Sequence, residues 1–120
     1  MAAEFKIDTI VLNGQVVTFE DSSGMISGVT GFENEPVLAA SGDDSTKRKR
    51  VERVLKAKLS TRAGFDAKGL GDMKDIQIAM RDSLSNRKCL ANVCTFKKLG
   101  DVGNGTAEVE FLLLTDLQWL

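Results

Sequence analysis

The sequence contains no histidine and no tyrosine, one proline, one tryptophan and two cysteines. Each shortage narrows the chemistry. Without histidine the chain lacks the commonest general base and the commonest transition-metal ligand. Two cysteines alone cannot complete a four-ligand zinc site. With Pro36 as the sole proline, turn-making falls to the 11 glycines. No apolar run approaches the roughly 18 residues of a membrane-spanning helix. The opening MAAEFKID has no apolar stretch of the kind that directs secretion, so a cytoplasm-like compartment is expected. A strong charge of either sign is also missing. Sixteen Lys and Arg stand against 17 Asp and Glu, for a formal net charge of −1. That balance gives no general case for nucleic-acid binding. At 120 residues the chain fits one domain that can bury roughly two thirds of its unfolded surface.

What is present is concentrated in the last third, RKCLANVCTFKKLGDVGNGTAEVEFLLLTDLQWL. It reads as two extended strands joined by a Gly-rich turn, the second running from Thr106 to Trp119. Ala107, Val109, Phe111 and Leu113 recur at every second position and share one face of a sheet. The opposite face begins with Glu108 and Glu110 and turns apolar at Leu112 and Leu114. A strand apolar on both faces requires cover on both sides. In so small a chain, part of that cover is expected from another copy, which points to an assembly subunit. Val109, Phe111 and Leu113 are expected core residues.

Toward the N-terminus, residues 6–12 and 15–19 flank Asn13-Gly14, a strong signal for a β-hairpin. Residues 20–44 are loop-rich, with a short strand expected within 25–32 and an exposed arm at NEPVLAASGDD. Long irregular stretches in compact domains are usually functional or in contact with a partner. Residues 46–61, TKRKRVERVLKAKLST, fit two patterns. As a helix, Ser45 caps it and Val51, Val54, Leu55 and Leu59 form one face; local pattern slightly favours this. As a strand, Val51, Leu55 and Leu59 share a face with Arg53 and Ala57. GFDAKGLGDMKD at 64–75 holds one or two helical turns, weakened by Gly69 and Gly71. Ile76, Ile78 and Met80 alternate as a strand, Ser85-Asn86 makes a turn, and residues 88–97 return as a strand.

The candidate chemistry is thin. KRKR at 47–50 is the one charge cluster, and it reads as a solvated element end or an ion-pairing surface more readily than as a phosphate site or nuclear signal. No aromatic residue interleaves it, so base stacking gains no support. Cys89 and Cys94, at an odd offset on one strand, are expected on opposite faces and unpaired with each other. Buried thiols are their expected state, and a disulfide to another subunit is the alternative. Asp66, Asp72, Asp75 and Asp82 sit near turns, with nothing to bring two into one cleft for acid–base work. GDVGNG at 100–105 lies between strands and lacks the following helix of a phosphate cradle. No catalytic, cofactor or metal residue is assigned, and no enzyme is expected.

The order of these segments resembles the tail-tube proteins of contractile-tailed bacteriophages, which share a fold with the inner tubes of pyocins and type VI secretion. The resemblance runs from the Asn-Gly hairpin and Gly-rich arm through KAKLST, GFDAKGLGDM and IQIAMRD to RKCLANVCTFKK and TAEVEFLLLTDLQWL. It is one of layout, spread over most of the chain, without a diagnostic motif. It implies a mainly β protein: a small β-sandwich or barrel with one short flanking helix and a long extended arm, assembling into a ring-wide β-barrel. It implies one domain over residues 1–120, with 19–50 as the arm that contacts neighbouring subunits through Phe32, Pro36, Val37 and Leu38. It also settles 46–61 as a long strand. Hexameric rings then stack into a hollow conduit that delivers viral DNA. Glu52, Lys56, Lys58, Glu108 and Glu110 are the lumen-lining candidates, and Cys89 and Cys94 the candidates for an inter-subunit disulfide. The partners implied are further copies of the chain, the tail sheath, baseplate and terminator proteins, and the tape measure and transiting DNA, held without sequence-specific binding. No cofactor and no membrane insertion are implied, and the place of action is the virion tail after assembly in the host cytoplasm. A tail terminator, a baseplate tube-initiator, or a secretion-type or non-contractile tube subunit of similar fold is the alternative. A small enzyme and a KRKR-based nucleic-acid module are the readings from other classes.

Overall fold

The computed structural model describes residues 5–62 and 65–120. Gly64, at the start of the segment expected to hold helical turns, lies outside them. The first hairpin forms where Asn-Gly predicts it. Strand β1 (Thr9–Leu12) pairs with β2 (Gln15–Val17), and Asn13 and Gly14 turn between them at φ 48° and 86°. Both turn residues are left-handed, as the twist of a two-residue hairpin demands. Ile10 and Leu12 point inward and are buried.

After a short β3 (Met25–Ser27), the chain leaves the body as β4 (Phe32–Val37) and returns as β5 (Ser45–Arg50). The arm expected to be irregular is thus a regular antiparallel hairpin. It is followed by β6 (Val54–Ser60), the short helix α1 (Ala67–Gly71), β7 (Ile76–Asp82), β8 (Arg87–Gly103), β9 (Thr106–Leu113) and β10 (Gln118–Trp119). The local helix expectation for 46–61 fails, and so does one uninterrupted strand. Two strands occupy the stretch with a break at 51–53. Seven consecutive residues of β6 are matched in register to β9, and this pairing overrides the weak helical stripe. The single strand expected over 106–119 is likewise split, with β9 and β10 separated at 114–117 but both paired to β8.

One sheet in the order β2-β1-β7-β8-β9-β6-β3 carries the fold, with β10 on β8. The hairpin β4–β5 forms a separate sheet. The main sheet curls around one core cluster that includes Ile10, Leu55, Ile78, Met80, Val109, Phe111 and Leu113, with Leu70 of α1 packed into it. The protein is mainly β with one short helix, as expected. The barrel, however, does not close within one chain. Phe19 bridges Leu59, and backbone bonds join Ser60 N–H to the Thr18 carbonyl and Glu20 N–H to the Lys58 carbonyl. The end strands β2 and β3 nevertheless remain unpaired with each other.

The curl originates in β8. Against β7 its register shifts between the pairs Ile78–Ala91 and Ile76–Cys94, so three steps on β8 match two on β7. Two more shifts occur against β9, between Phe96 and Lys98 and between Leu99 and Val102. Each extra residue bends the strand and increases its twist. The first bulge also corrects the cysteine expectation. It reverses the inward phase after Ala91, so Cys89 and Cys94 both face the core and both are fully buried. Both thiols are free. Burial pushes each up to about 11.

Helix α1 begins at Asp66, whose carboxylate accepts the Gly69 N–H at 3.1 Å as an N-cap. A Cβ at Gly69 would crowd that carboxylate and require it to shift. The Phe96 N–H donates to the Met73 carbonyl and ties the chain beyond the helix to β8.

Candidate assembly surface

Among the described residues, the arm and one charged sheet face carry features beyond those needed to fold. All twelve residues of β4 and β5 are exposed, so the hairpin contributes nothing to the core. Six pairs hold it, from Phe32–Arg50 to Val37–Ser45. Partners in an antiparallel pair share a face. One face therefore carries Glu33 and Glu35 beside Lys49 and Lys47, with Lys49 Nζ 3.3 Å from Glu35. The other carries Phe32, Asn34 and Pro36 beside Arg50, Arg48 and Thr46. The Arg48 guanidinium sits 3.6 Å from the Phe32 ring centroid. KRKR thus gains an aromatic neighbour from the opposite strand, which spacing along the chain did not reveal.

Both edges of the hairpin are blunted against further strand pairing. Val51 N–H donates to the Gly31 carbonyl. Continuing that alternation along the pairs turns Pro36, which has no N–H, toward the free edge of β4. Lysine and arginine crowd the edge of β5 in the same protective sense. The end of the hairpin is ordered by its own bonds. Gly42 N–H donates to the Ala39 carbonyl, and the Asp44 carboxylate accepts the Ala39 N–H at 3.2 Å. Beside this turn stand Val37, 43% exposed, and Leu38, 76% exposed.

At its root the arm is clamped. Gly28 and Gly31 adopt φ 66° and 80°, and a side chain at either would run into Glu52 or Arg53. Arg53 pairs with Asp116 of the β9–β10 connection. The arm is therefore anchored firmly at one end and reaches free at the other. The molecule measures 62 × 38 × 27 Å, with a radius of gyration of 17.2 Å. A compact chain of this length has a radius of about 14 Å.

The second surface is the outer face of β8, β9 and β6. Lys56 lies directly opposite Glu110, and Lys58 opposite Glu108. Four of the five residues expected to share a wall are thus cross-strand neighbours on one face. Glu52, the fifth, lies in the β5–β6 connection and is bonded at 2.8 Å to Lys97. That bond raises the Lys97 pKa above its usual value. Glu110 is largely buried, with its carboxylate 3.2 Å from Lys98. Lys97 and Lys98 complete the surface and were missed in the sequence. Strict alternation would send one of them inward, but the bulge between Phe96 and Lys98 turns both out. Two adjacent lysines inside an otherwise apolar-alternating strand were the available signal. Asp101 lines a depression beside Lys58 and Glu108. Four lysines thereby face Glu52, Glu108, Glu110 and Asp101, and the surface is densely charged yet balanced.

The arm candidates Phe32, Pro36, Val37 and Leu38 lie together on the projecting hairpin, separate from the charged face. Cys89 and Cys94 belong to neither surface. Both are enclosed by the chain's own core. Leu112 is half-buried and Leu114 is 53% exposed, so the second face of the last long strand is left partly uncovered by its own chain. Among the described residues, no group of three His, Cys, Asp or Glu side chains is placed to hold a metal ion, and no helix is long and apolar enough to cross a membrane. No protein-family model matches the chain, and no curated protein matches it.

Proposed function

We propose that this chain is a structural subunit of a phage tail tube, forming hexameric rings that stack into a conduit for viral DNA. The observation that carries the reading is the arm: an ordered, fully exposed hairpin, fixed at its root, with apolar residues near a free end. A hairpin without a core of its own is marginal in water, and a large exposed apolar side chain at its end suits a contact with another chain. The charged but balanced face of β6, β8 and β9 supports the same reading. A wall past which DNA slides must be wettable, and it must not present an excess of cations that would hold phosphate. The partly open curl of the sheet is compatible with a barrel completed by neighbours. Sheath, baseplate, terminator and tape measure proteins are the partners this role requires.

Negative-stain microscopy of concentrated protein, with mass photometry across a dilution series, tests the proposal. Rings of six that stack into hollow tubes are expected. A monomer at every concentration, with neither rings nor tubes, would falsify it. Rings that never stack would move the role to a terminator.

A further inference from the structure

A groove of about 550 Å³ lies between β2, the end of β6 and α1. Its lining includes Leu12, Val17, Leu59, Phe65, Leu70 and Met73. At the rim stand Val16, 72% exposed on an edge strand, and Arg62, which makes no ion pair among the described residues. Asp66, also at the rim, is engaged by the helix cap. Gln15, Thr18 and Ser60 line it as well, so the groove has an apolar floor, polar sides and an unpaired cation at its mouth.

The arm presents the complementary shape. Its end carries Val37, Leu38, Ala39 and Ala40 on a turn fixed by the Ala39–Gly42 and Ala39–Asp44 bonds. Asp44 is occupied by the second bond, while Asp43 is exposed and unpaired among the described residues. The projecting surface is therefore apolar, shaped by its own hydrogen bonds, and marked by one exposed anion. Its blunted edges disfavour association by strand addition, so the end and faces of the hairpin remain for contact.

We infer that the groove between β2 and α1 receives the arm end of a second copy of this chain, with Leu38 entering the groove and Asp43 meeting Arg62. A projection and a socket at different places on one chain make a heterologous contact, which propagates into closed rings or open helical stacks. The inference rests on the tube reading and supplies its joint. On docking, Leu38 leaves water for the apolar floor of the groove.

The test is a cross-link between two single variants of the full chain. Leu38→Cys marks the projection and Val16→Cys the rim, both at exposed positions, and the native thiols are buried. When the two are mixed under mild oxidation, the mixed disulfide is expected to exceed either like-with-like product by about tenfold. Leu38→Asp should raise the concentration needed for assembly by at least about tenfold with an unchanged melting temperature, because Leu38 supports no core. Arg62→Glu and Asp43→Arg should each weaken assembly by about threefold, and their combination should restore it. Assemblies that form normally without the mixed cross-link assign the groove to another occupant and overturn this inference while leaving the tube reading intact. The cross-link appearing in small or open oligomers, never in rings or tubes, supports the socket and defeats the tube. A chain that stays monomeric and uncross-linked at every concentration overturns both.

Discussion

Phe111 is 1% exposed and meets Phe96 edge to face, with ring centroids 5.9 Å apart. Truncation there removes a ring from the centre of a curled sheet that cannot readily collapse around the loss. Phe111→Ala is expected to cost about 3–5 kcal/mol, measured by denaturant unfolding; an unchanged midpoint would place the ring outside the core. Asp82 holds the turn between β7 and β8 by accepting from Lys6 N–H at 3.0 Å, Leu84 N–H at 3.1 Å and the Ser85 hydroxyl at 2.9 Å. These bonds, the Lys6 amide foremost, outweigh desolvation and hold its carboxyl below the ordinary 3.8. Asp8 is lowered likewise, foremost by the Ser83 amide. A carboxyl depressed on folding stabilises the fold above its unfolded value and loses that contribution as pH falls through the folded value. Asp82→Ala should therefore be less stable than the parent near about pH 7, with the gap narrowing below about pH 4. Equal gaps at neutral and acid pH would show that the ionised form is not what matters. Cys89 and Cys94 give a third check. With both thiols buried and raised to about 11, a thiol reagent at mildly alkaline pH should label neither in the folded chain and both after denaturation. Prompt labelling of the native protein would contradict their enclosure.

Among the elements, those governed by local rules were readable in advance. Asn13-Gly14 and Asn104-Gly105 turn at positive φ, as their dipeptides imply, and β7 and β9 keep the alternation their apolar residues announce. The β8 bulges were not readable. Where a strand gains a residue depends on how it must bend across two partners, and nothing at 92–93 states it. That one register shift reversed the expected placement of Cys94, and the next brought Lys97 and Lys98 onto one face. The charged face was legible as pairs along each strand, whereas its third row required knowledge of the bend. The arm was legible as an exposed segment but not as a hairpin. Its strands pair acid to base, and they bury no residue whose periodicity would betray them. The same independence from the core sets its prediction. Replacing residues 36–46 by Asn-Gly shortens the hairpin while retaining the hydrogen-bonded Glu35–Lys47 pair and the clamped root. The melting temperature should move by no more than about 2 °C, since the excised residues support no packing, and assembly should be lost. Tubes of ordinary length from the shortened chain would show that the arm is not the joint.

For the molecule as a whole, the tube reading turns on how charge is repeated. A ring repeats every wall residue in each subunit, and stacking repeats the ring, so one uncompensated lysine becomes a basic channel. The outer face of β6, β8 and β9 is balanced, with Lys56 opposite Glu110, Lys58 opposite Glu108, Lys97 on Glu52 and Lys98 on Glu110. The two central glutamates differ in what they support. Glu108 is exposed and opposite a single lysine, so its replacement changes the wall and little else. Glu110 is nearly buried between Lys56 and Lys98, and a lysine there would bury a cation beside two exposed ones and unsettle the fold itself. Glu108→Lys is therefore the informative substitution, with Glu110→Gln as the milder companion. In particles carrying Glu108→Lys, DNA ejection is expected to slow most at low salt and to recover as salt rises, because each added phosphate contact is screened. Tube assembly and subunit melting should stay near those of the parent. Ejection at the parental rate across the whole salt range, from particles with normal tubes, would mean that this face looks away from the channel and that another surface of the sheet forms its wall.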